Sequence, residues 1–411
     1  MDQRYPFTGR VLATEVAPMA IAHYALSVLV TLPNTRPYRL ALLPVSALLT
    51  ANGLLHWDFA NGDERASFQN VVAVVRVSSP GPMMEYDLIF FFFVQFGVFL
   101  VFFSGLIWGW RKDHYKRLDG PQKTIKDALI NGLDLCTNPT ALGWEHGLKP
   151  DEAFIKSRET MSRPYFVAVH LFWTFAWLII LDFVKFSSDL VNTNLKDLSG
   201  NTIFDPTLPF LQRYFKATLF TAHFAILLVG GLEMVINVTK VVSVGILGVH
   251  PKRCPPLFSQ PWASTSLRRL WSKGWHQHAR YNFLTFGGKP LARITNTGKV
   301  GIVLGTCILS GLVHDVATMS LGSGPDPLYV TMFFLMMGVG TILEEQWSRT
   351  TGKKVVGLWG WLWTMIWLGG WGNLIIDAWC RRGMAANKGA MEEDARPSKK
   401  LWNALGGRPL L

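Results

Sequence analysis

From Leu88 to Trp110 the chain carries no ionisable side chain, and the run opens almost at once into Phe90-Phe91-Phe92-Phe93, between Asp87 and Arg111. About 20 apolar residues at 1.5 Å rise each span the hydrocarbon of a bilayer, and a soluble core helix is rarely so long and so uniformly apolar. Seven further apolar runs lie near 16–32, 40–56, 165–186, 215–237, 300–319, 327–344 and 355–376, with Pro18, Pro44 and Asn52 interrupting the first two. With 49% hydrophobic and only 17% charged residues in 411, the pattern implies lipid as the solvent. The expected fold class is an all-α, multi-pass integral membrane protein. It is a helical bundle of about 8–10 transmembrane helices with cytosolic interfacial helices. Residues 1–387 read as a single polytopic domain, and 388–411, with Glu392, Glu393, Asp394 and Pro397, as a mobile tail.

The net charge of +12 does not point to nucleic acid, because the excess lies in two connecting segments. Segments 111–164 and 238–299 hold ten Lys/Arg each, whereas 187–214 holds only Lys196 and Arg213. If the spans alternate, both basic segments fall on one side, which the positive-inside tendency assigns to the cytosol. Arg381 and Arg382 then stand on the opposite, weakly basic side. Met1–Gly9 lacks the features of a cleavable signal. Cys136, Cys254, Cys307 and Cys380 are too dispersed for a disulfide framework or a zinc site and read as packing residues.

Ser264 to Phe283, STSLRRLWSKGWHQHARYNF, mixes aromatic anchors, cations and two histidines at a membrane edge. At helical spacing Leu267, Leu270, Trp271, Gly274, Trp275 and His278 share one stripe, and Arg269, Lys273, His276 and Arg280 the opposite one. As an interfacial helix, the segment would seat its tryptophans at headgroup depth and its cations on anionic lipid. As a binding segment, Arg268, Arg269 and Lys273, flanked by Trp271 and Trp275, would meet the phosphates of coenzyme A arriving from the cytosol.

The following span carries Gly301 and Gly305 at small-xxx-small spacing, then Ser310, Gly311, His314 and Asp315. Ionisable residues at such depth face a protein interior or a wet cavity, and His314 and Asp315 either bond neighbouring helices or mark a site. A neutral imidazole, with an ordinary pKa of about 6.5, can take the proton of an attacking hydroxyl, which suits acyl transfer without a covalent intermediate. Neither a Gly-x-Ser-x-Gly elbow nor a Cys/His pairing suggests an acyl-enzyme.

Two motifs together resemble a known group. One is Ser266-Leu267, Trp271, Trp275 and His276; the other is Ser310-Gly311-Leu312 with His314. They look like the wax-synthase-like branch of the membrane-bound O-acyltransferases. So do Phe333-Phe334-Leu335 with Gly338 and Leu343-Glu344, and Gly143-Trp144; the resemblance runs from about 143 to 373, the expected catalytic part. It implies an acyl-CoA-dependent O-acyltransferase in which His314 is the active-site histidine and His276 a second polar residue of the reaction chamber. His278, Asp315 and Ser310 are candidates for contact with the acceptor. On a continuous helix His276 would face the basic side, so this role requires a break near Gly274 or a chamber wetted from that side. Local wording such as Gly143-Trp144-Glu145 and Trp-His-Gln-His is closer to fungal enzymes that acetylate terpenoids and related natural products. That implies acetyl-CoA as co-substrate, a hydrophobic alcohol as acceptor and the endoplasmic reticulum as location; long-chain wax ester synthesis is the alternative. No permanently bound cofactor, metal or nucleic-acid partner is implied beyond the lipid bilayer, and no spacing specifies an oligomer.

A proton-coupled transporter is a competing class, since a His314-Asp315 pair could relay protons and Glu344 and Glu345 end another span, although two matching halves with broken helices are absent. A metalloenzyme using His276, His278 and His314 lacks the clustered histidine boxes of a desaturase. Asp134 and Asp182 stand alone, unlike the Asp-rich motifs of prenyl transfer. The other histidines, His23, His56, His114, His146, His170, His223 and His250, read as packing or interface residues, with His223 the most notable because it lies inside a span before Glu233.

Overall fold

The computed structural model describes residues 5–6, 9–58, 87–118, 120, 124–138, 140–149, 152–191, 195, 200–319, 326–386 and 396–406. All eight apolar runs lie on helices: α1 (Gly9–Leu29), α2 (Arg36–His56), α3 (Asp87–Trp110), α6 (Arg163–Val191), α7 (Phe210–Ile246), α9 (Lys299–Met319), α10 (Pro327–Thr351) and α11 (Gly357–Cys380). Shorter helices are α4 (Ile125–Thr137), α5 (Glu152–Glu159), α8 (Lys289–Thr295) and α12 (Pro397–Ala404). Among the described residues, strand pairing is confined to a two-residue parallel ladder of Tyr5–Pro6 with Trp57–Asp58 and an isolated bridge between Arg117 and Trp144. Helix satisfies its own backbone donors and acceptors, which lipid cannot do.

Among the described residues six helices, α1, α2, α6, α7, α9 and α10, are long and apolar enough to cross a membrane. The chain is an integral, multi-pass membrane protein. The helix α11 is equally long, but Trp359, Trp361, Trp363, Trp367 and Trp371 lower its mean hydropathy while suiting it to a membrane interface. The polar interruption in α2 is absorbed by pairing: Asn52 Nδ2 donates to Glu15 Oε2 of α1 at 2.6 Å. Internal contacts divide the chain into two compact units, residues 1–80, 88–149 and 277–325, and residues 81–87, 150–276 and 326–411. The division falls inside the stretch 1–387 expected as one polytopic domain.

In the first unit α4 crosses α1 backbone to backbone, with Ser27 Oγ donating to Gly132 O at 2.9 Å and Tyr24 Oη to Leu129 O at 3.0 Å. Thr124 and Asp127 close a capping box at its start. Its other face, Ile125, Leu129, Ile130 and Leu133, is exposed, which is the amphipathic form expected of an interfacial helix in a basic connecting segment. The hairpin of α8 and α9 is equally close. A Cβ on Gly305 would lie 2.3 Å from Gly287 O, and one on Gly301 2.5 Å from Ala292 Cα, so the small-xxx-small spacing is a backbone-to-backbone seam.

In the second unit α6 and α7 pack along their length, Gly230 admitting the Trp177 ring. Asn373 of α11 accepts from Thr221 Oγ1 at 2.7 Å and donates to Thr218 Oγ1 at 2.9 Å, both on α7. Trp367 Nε1 of α11 donates to Met336 O of α10 at 3.0 Å.

The tail expected to be mobile over 388–411 is in part docked. Arg396 Nε donates to Asp182 Oδ1 at 2.6 Å, its Nη2 to Asp182 O at 3.1 Å, and Ser398 N to Asp182 Oδ2 at 2.8 Å. Trp402 packs on Phe186. Asp182 is thus no isolated acid: with side chains 2% and 7% exposed, Asp182 and Arg396 neutralise each other while α12 lies against α6. Arg381 and Arg382 are likewise balanced, Arg381 by Asp377 at 2.8 Å and Asp326 at 3.6 Å and Arg382 by Asp326 at 3.7 Å.

Gly305→Ala should loosen the α8/α9 seam at a cost of about 1–3 kcal/mol, and Gly305→Leu should prevent it from forming. Thermal denaturation in detergent checks this, with Gly370→Ala, where an added Cβ meets nothing within 4 Å, expected to match the parent protein.

Candidate active site

The first unit holds His314 near the end of α9. Its Nδ1 lies 2.7 Å from the carbonyl oxygen of Ser310, one turn earlier. A carbonyl only accepts, so Nδ1 carries the proton and a neutral His314 keeps its proton-accepting lone pair on Nε2. Ser310 therefore acts on the histidine through its backbone. Val313 packs against Ala279 and Phe283, which fixes the rotation of α9 and leaves His314 half-buried beside that contact. Asp315 is 3% exposed, and adjacent helical positions point about 100° apart, so it does not share the face of His314.

The second unit holds 254–276. No continuous helix forms there: Leu267–Arg269 is one α-turn, Leu270–Gly274 a wider π-turn, and Trp275 is extended (φ −86°, ψ 156°). Gly274 marks the break. Its carbonyl accepts from Ser259 N at 2.9 Å, and a Cβ there would lie 2.9 Å from Ser264 Oγ. The two-sided wheel therefore ends before His276, and His278 follows in the turn after it. Trp275 and Phe258 have ring centroids 5.7 and 6.3 Å from the His276 ring. Trp271 stands 5.9 Å from Trp275 and 6.4 and 6.2 Å from Phe333 and Phe334, so two sequence motifs pack on each other.

Glu344 of α10 anchors this segment. Its carboxylate accepts from Leu267 N at 2.6 Å, Arg268 N at 3.0 Å and Trp363 Nε1 at 2.9 Å, while Ser266 Oγ caps Arg269 N at 3.0 Å. The donors left over at the start of the α-turn are thereby met inside the protein.

The candidate phosphate-binding cations have distinct surroundings. Arg269 Nη1 donates to Ala263 O at 2.9 Å and holds the local loop. Arg268 is exposed and pairs with Glu345 at 3.0 Å, and Lys273 is exposed. The structure gathers Arg268, Arg269, Trp271, Lys273, Trp275 and His276 in one segment of the second unit, and His278, Ser310, His314 and Asp315 in the first. Among the described residues no group of three His, Cys, Asp or Glu is placed to hold a metal ion. His223 bonds Ser187 Oγ at 2.9 Å and Leu219 O at 2.7 Å, and Asp134 accepts from Trp144 Nε1 at 2.8 Å.

Sequence reasoning passed over a cluster around His146 in the first unit. Its ring stacks on Tyr115 at 3.7 Å and lies 5.5 Å from Tyr281, while Arg111 sits 4.1 Å over Tyr115 and pairs with Glu145 at 2.5 Å. The neighbouring Gly143-Trp144 is the turn expected there: Gly143 has φ +92° and Trp144 is 1% exposed. Burial, reinforced by Arg111, pushes the His146 imidazole down to about 4. Only the adjacent Gly-Trp pair signals this site in the sequence.

Residues 254–336, from Cys254 past the break at Gly274 and through His314 to the Phe333-Phe334 pair, match one family model. That model is the membrane bound O-acyl transferase family's, and the match is confined to those residues. Proteins similar to this chain include "Acetyltransferase spyB" of Aspergillus fumigatus, 24% identical over 36% of this chain and 29% of its own length. "Acetyltransferase aurG" of Calcarisporium arbuscula is 28% identical over 32% of this chain and 38% of its own. "Probable long-chain-alcohol O-fatty-acyltransferase 1" of Arabidopsis thaliana is 24% identical over 36% of this chain and 45% of its own. The chain thus spans less than half the length of each of these relatives.

Two outcomes are expected. Glu344→Ala strands three N–H donors and should cost on the order of 3 kcal/mol or more, with Glu344→Gln milder, read as detergent melting temperature and protease sensitivity near 262–276. For His146 the folded value lies below the ordinary 6.5, so above that pH neither state is charged. Between 6.5 and about 4 the opened chain takes a proton that the folded one refuses, and stability falls as pH drops. The parent protein should therefore lose more melting temperature from pH 7.5 to 5 than His146→Phe does.

Proposed function

We propose that the chain is an acyl-CoA-dependent O-acyltransferase that transfers acetyl from acetyl-CoA to a hydroxyl of a hydrophobic natural product such as a terpenoid, in an endoplasmic-reticulum membrane. The observation that carries this reading is the His314–Ser310 hydrogen bond, which presents Nε2 as a base on a membrane helix inside the family-matched segment. As the alcohol oxygen attacks the thioester carbonyl, its proton passes to Nε2. The tetrahedral oxyanion then collapses, the C–S bond breaks, and the imidazolium returns the proton to the departing thiolate. An ester and free coenzyme A result, with no acyl-enzyme.

His276, held among Phe258, Trp271 and Trp275, orients the acceptor or stabilises the oxyanion in this reading. His278 is a candidate acceptor contact, whereas Asp315 is buried on a different face of α9 from His314. Arg268 and Lys273 remain available to coenzyme A at the surface, whereas Arg269 is committed to its own loop. The acetyl assignment draws on the fungal acetyltransferases among the relatives, and the long-chain-alcohol acyltransferases among them favour wax ester synthesis as the second reading. A transporter gains nothing from Glu344, whose carboxylate is taken up by three N–H donors.

His314→Ala should lower turnover roughly 10²- to 10⁴-fold while leaving expression, membrane insertion and elution profile unchanged. Release of the coenzyme A thiol from acetyl-CoA and from a long-chain acyl-CoA, over a panel of hydrophobic alcohols, measures it. Activity near the parent level would remove His314 as the base.

A further inference from the structure

One buried cation in the second unit stands outside ion-pair contact with any described carboxylate. Lys240, near the end of α7, is 7% exposed, yet among the described residues no carboxylate oxygen lies within 4.0 Å of its ammonium. Glu233, two turns earlier on the same helix, is the carboxylate that acts on it, but that carboxylate also accepts from Phe258 N. Arg158 of α5 adds a second cation to the same neighbourhood. Its guanidinium lies 5.0 Å from the fully buried Phe166 ring, and both Lys240 and Arg158 act electrostatically on the buried Cys254 thiol, which packs against Phe166. Glu233 acts on Lys240, and Arg158 adds a further cation beside the same Cys254 and His170, which leaves cations in excess at this end of α6 and α7. A buried charge of this kind is retained at a substantial cost unless a counter-charge joins it.

A third group faces the same place. His170 of α6 lies 4.2 Å, ring to ring, from Phe166, and Lys240 and Arg158 both act on it. Asn237 Nδ2 donates to Glu233 O at 2.7 Å, which fixes the amide so that its Oδ1 accepts from His170 Nδ1 at 2.5 Å. The proton is thereby placed on Nδ1, and Nε2 is buried with no hydrogen-bond partner. An excess of cations and an unmet polar nitrogen meet in one cluster, one loop away from the aromatic ring set around His276, since Phe258 belongs to both.

We propose that Lys240, Arg158 and His170 Nε2 form a phosphate-binding site. The two cations supply the charge. Nε2 takes the P–OH of a monoanion or, once protonated, donates to a dianion, so either proton placement yields one hydrogen bond. Two sources share this chemistry, the phosphates of the coenzyme A donor and a phospholipid headgroup. The donor source rests on the acyltransferase reading above, and there it places the main phosphate contact on these buried residues rather than on exposed Arg268 and Lys273.

The test uses full-length protein purified in detergent, with unacylated coenzyme A as one probe and dioleoyl phosphatidate as the other. Binding is followed by calorimetry and by the shift in melting temperature. Lys240→Met should weaken coenzyme A binding at least tenfold and Lys240→Arg should largely restore it. Arg158→Gln, at a half-buried position, gives the same reading if Lys240→Met does not fold. Coenzyme A affinity that is unchanged in the variants, with loss of the phosphatidate shift, keeps the site and assigns it to lipid. If both probes bind parent and variants alike, the site is overturned while the acyltransferase reading stands. If the parent protein binds no coenzyme A, the donor reading fails and the phosphatidate comparison alone upholds or overturns the site.

Discussion

Glu344 is the group on which the rest of the second unit's site depends. A chain that leaves regular helix at a membrane edge exposes backbone N–H groups that hydrocarbon cannot satisfy. The carboxylate of Glu344 takes two of them, at Leu267 and Arg268, together with the Trp363 indole, and Ser266 takes a third backbone donor at Arg269. With the start of the α-turn held to α10, Leu267 fits over Gly340, where a Cβ would lie 2.4 Å from its Cδ1. Trp271 then reaches Phe333 and Phe334, and Gly274 can end the helix against Ser264. The position of His276 follows from that chain of contacts, each of which would loosen if the carboxylate were lost.

Much of the fold was legible because its signals are local. An uninterrupted apolar run specifies a membrane helix whatever its neighbours are, and Gly301 and Gly305 announce a close backbone approach before the partner helix is known. A break near Gly274 was one of two arrangements readable from the sequence, because a continuous helix would have turned His276 away from the aromatic stripe, and the structure has the break. What stayed hidden is non-local. Nothing near Arg396 reveals that Asp182, more than two hundred residues earlier, is its partner, and a polar terminal stretch reads as mobile until that partner is known. The stacking of Tyr115, His146 and Tyr281 is likewise assembled from segments far apart in sequence.

The second unit also bears on the alternation of spans. At one end of its helices Asp377 accepts from Thr202 Oγ1 at 2.6 Å and Ile203 N at 2.9 Å, while Asp326 stands by Arg381 and Arg382. These contacts gather the loop after α6, the start of α10 and the end of α11. At the other end lie Glu344, the turn at 267–268 and the start of α11, where Trp361 Nε1 donates to Trp262 O at 2.8 Å. This is the arrangement that alternating spans require. Arg381 and Arg382, out of place by a simple count of cations, are neutralised by their carboxylates and exert little pull on orientation.

The two histidines differ in how they are held, and the difference suits different work. His314 is set by its own helix: the Ser310 carbonyl one turn back selects the tautomer, so the proton-accepting nitrogen is defined by backbone geometry. A general base benefits from that, because its protonation site is then insensitive to side-chain rearrangement around the acceptor. His276 follows a helix break and is bordered by the rings of Phe258 and Trp275, contacts that fix its place. Such a residue can accept from a hydroxyl at one stage and donate to a developing oxyanion at the next. In the proposed reaction this assigns proton transfer to the imidazole whose tautomer its own helix sets, and orientation to the one placed by aromatic rings beside a helix break.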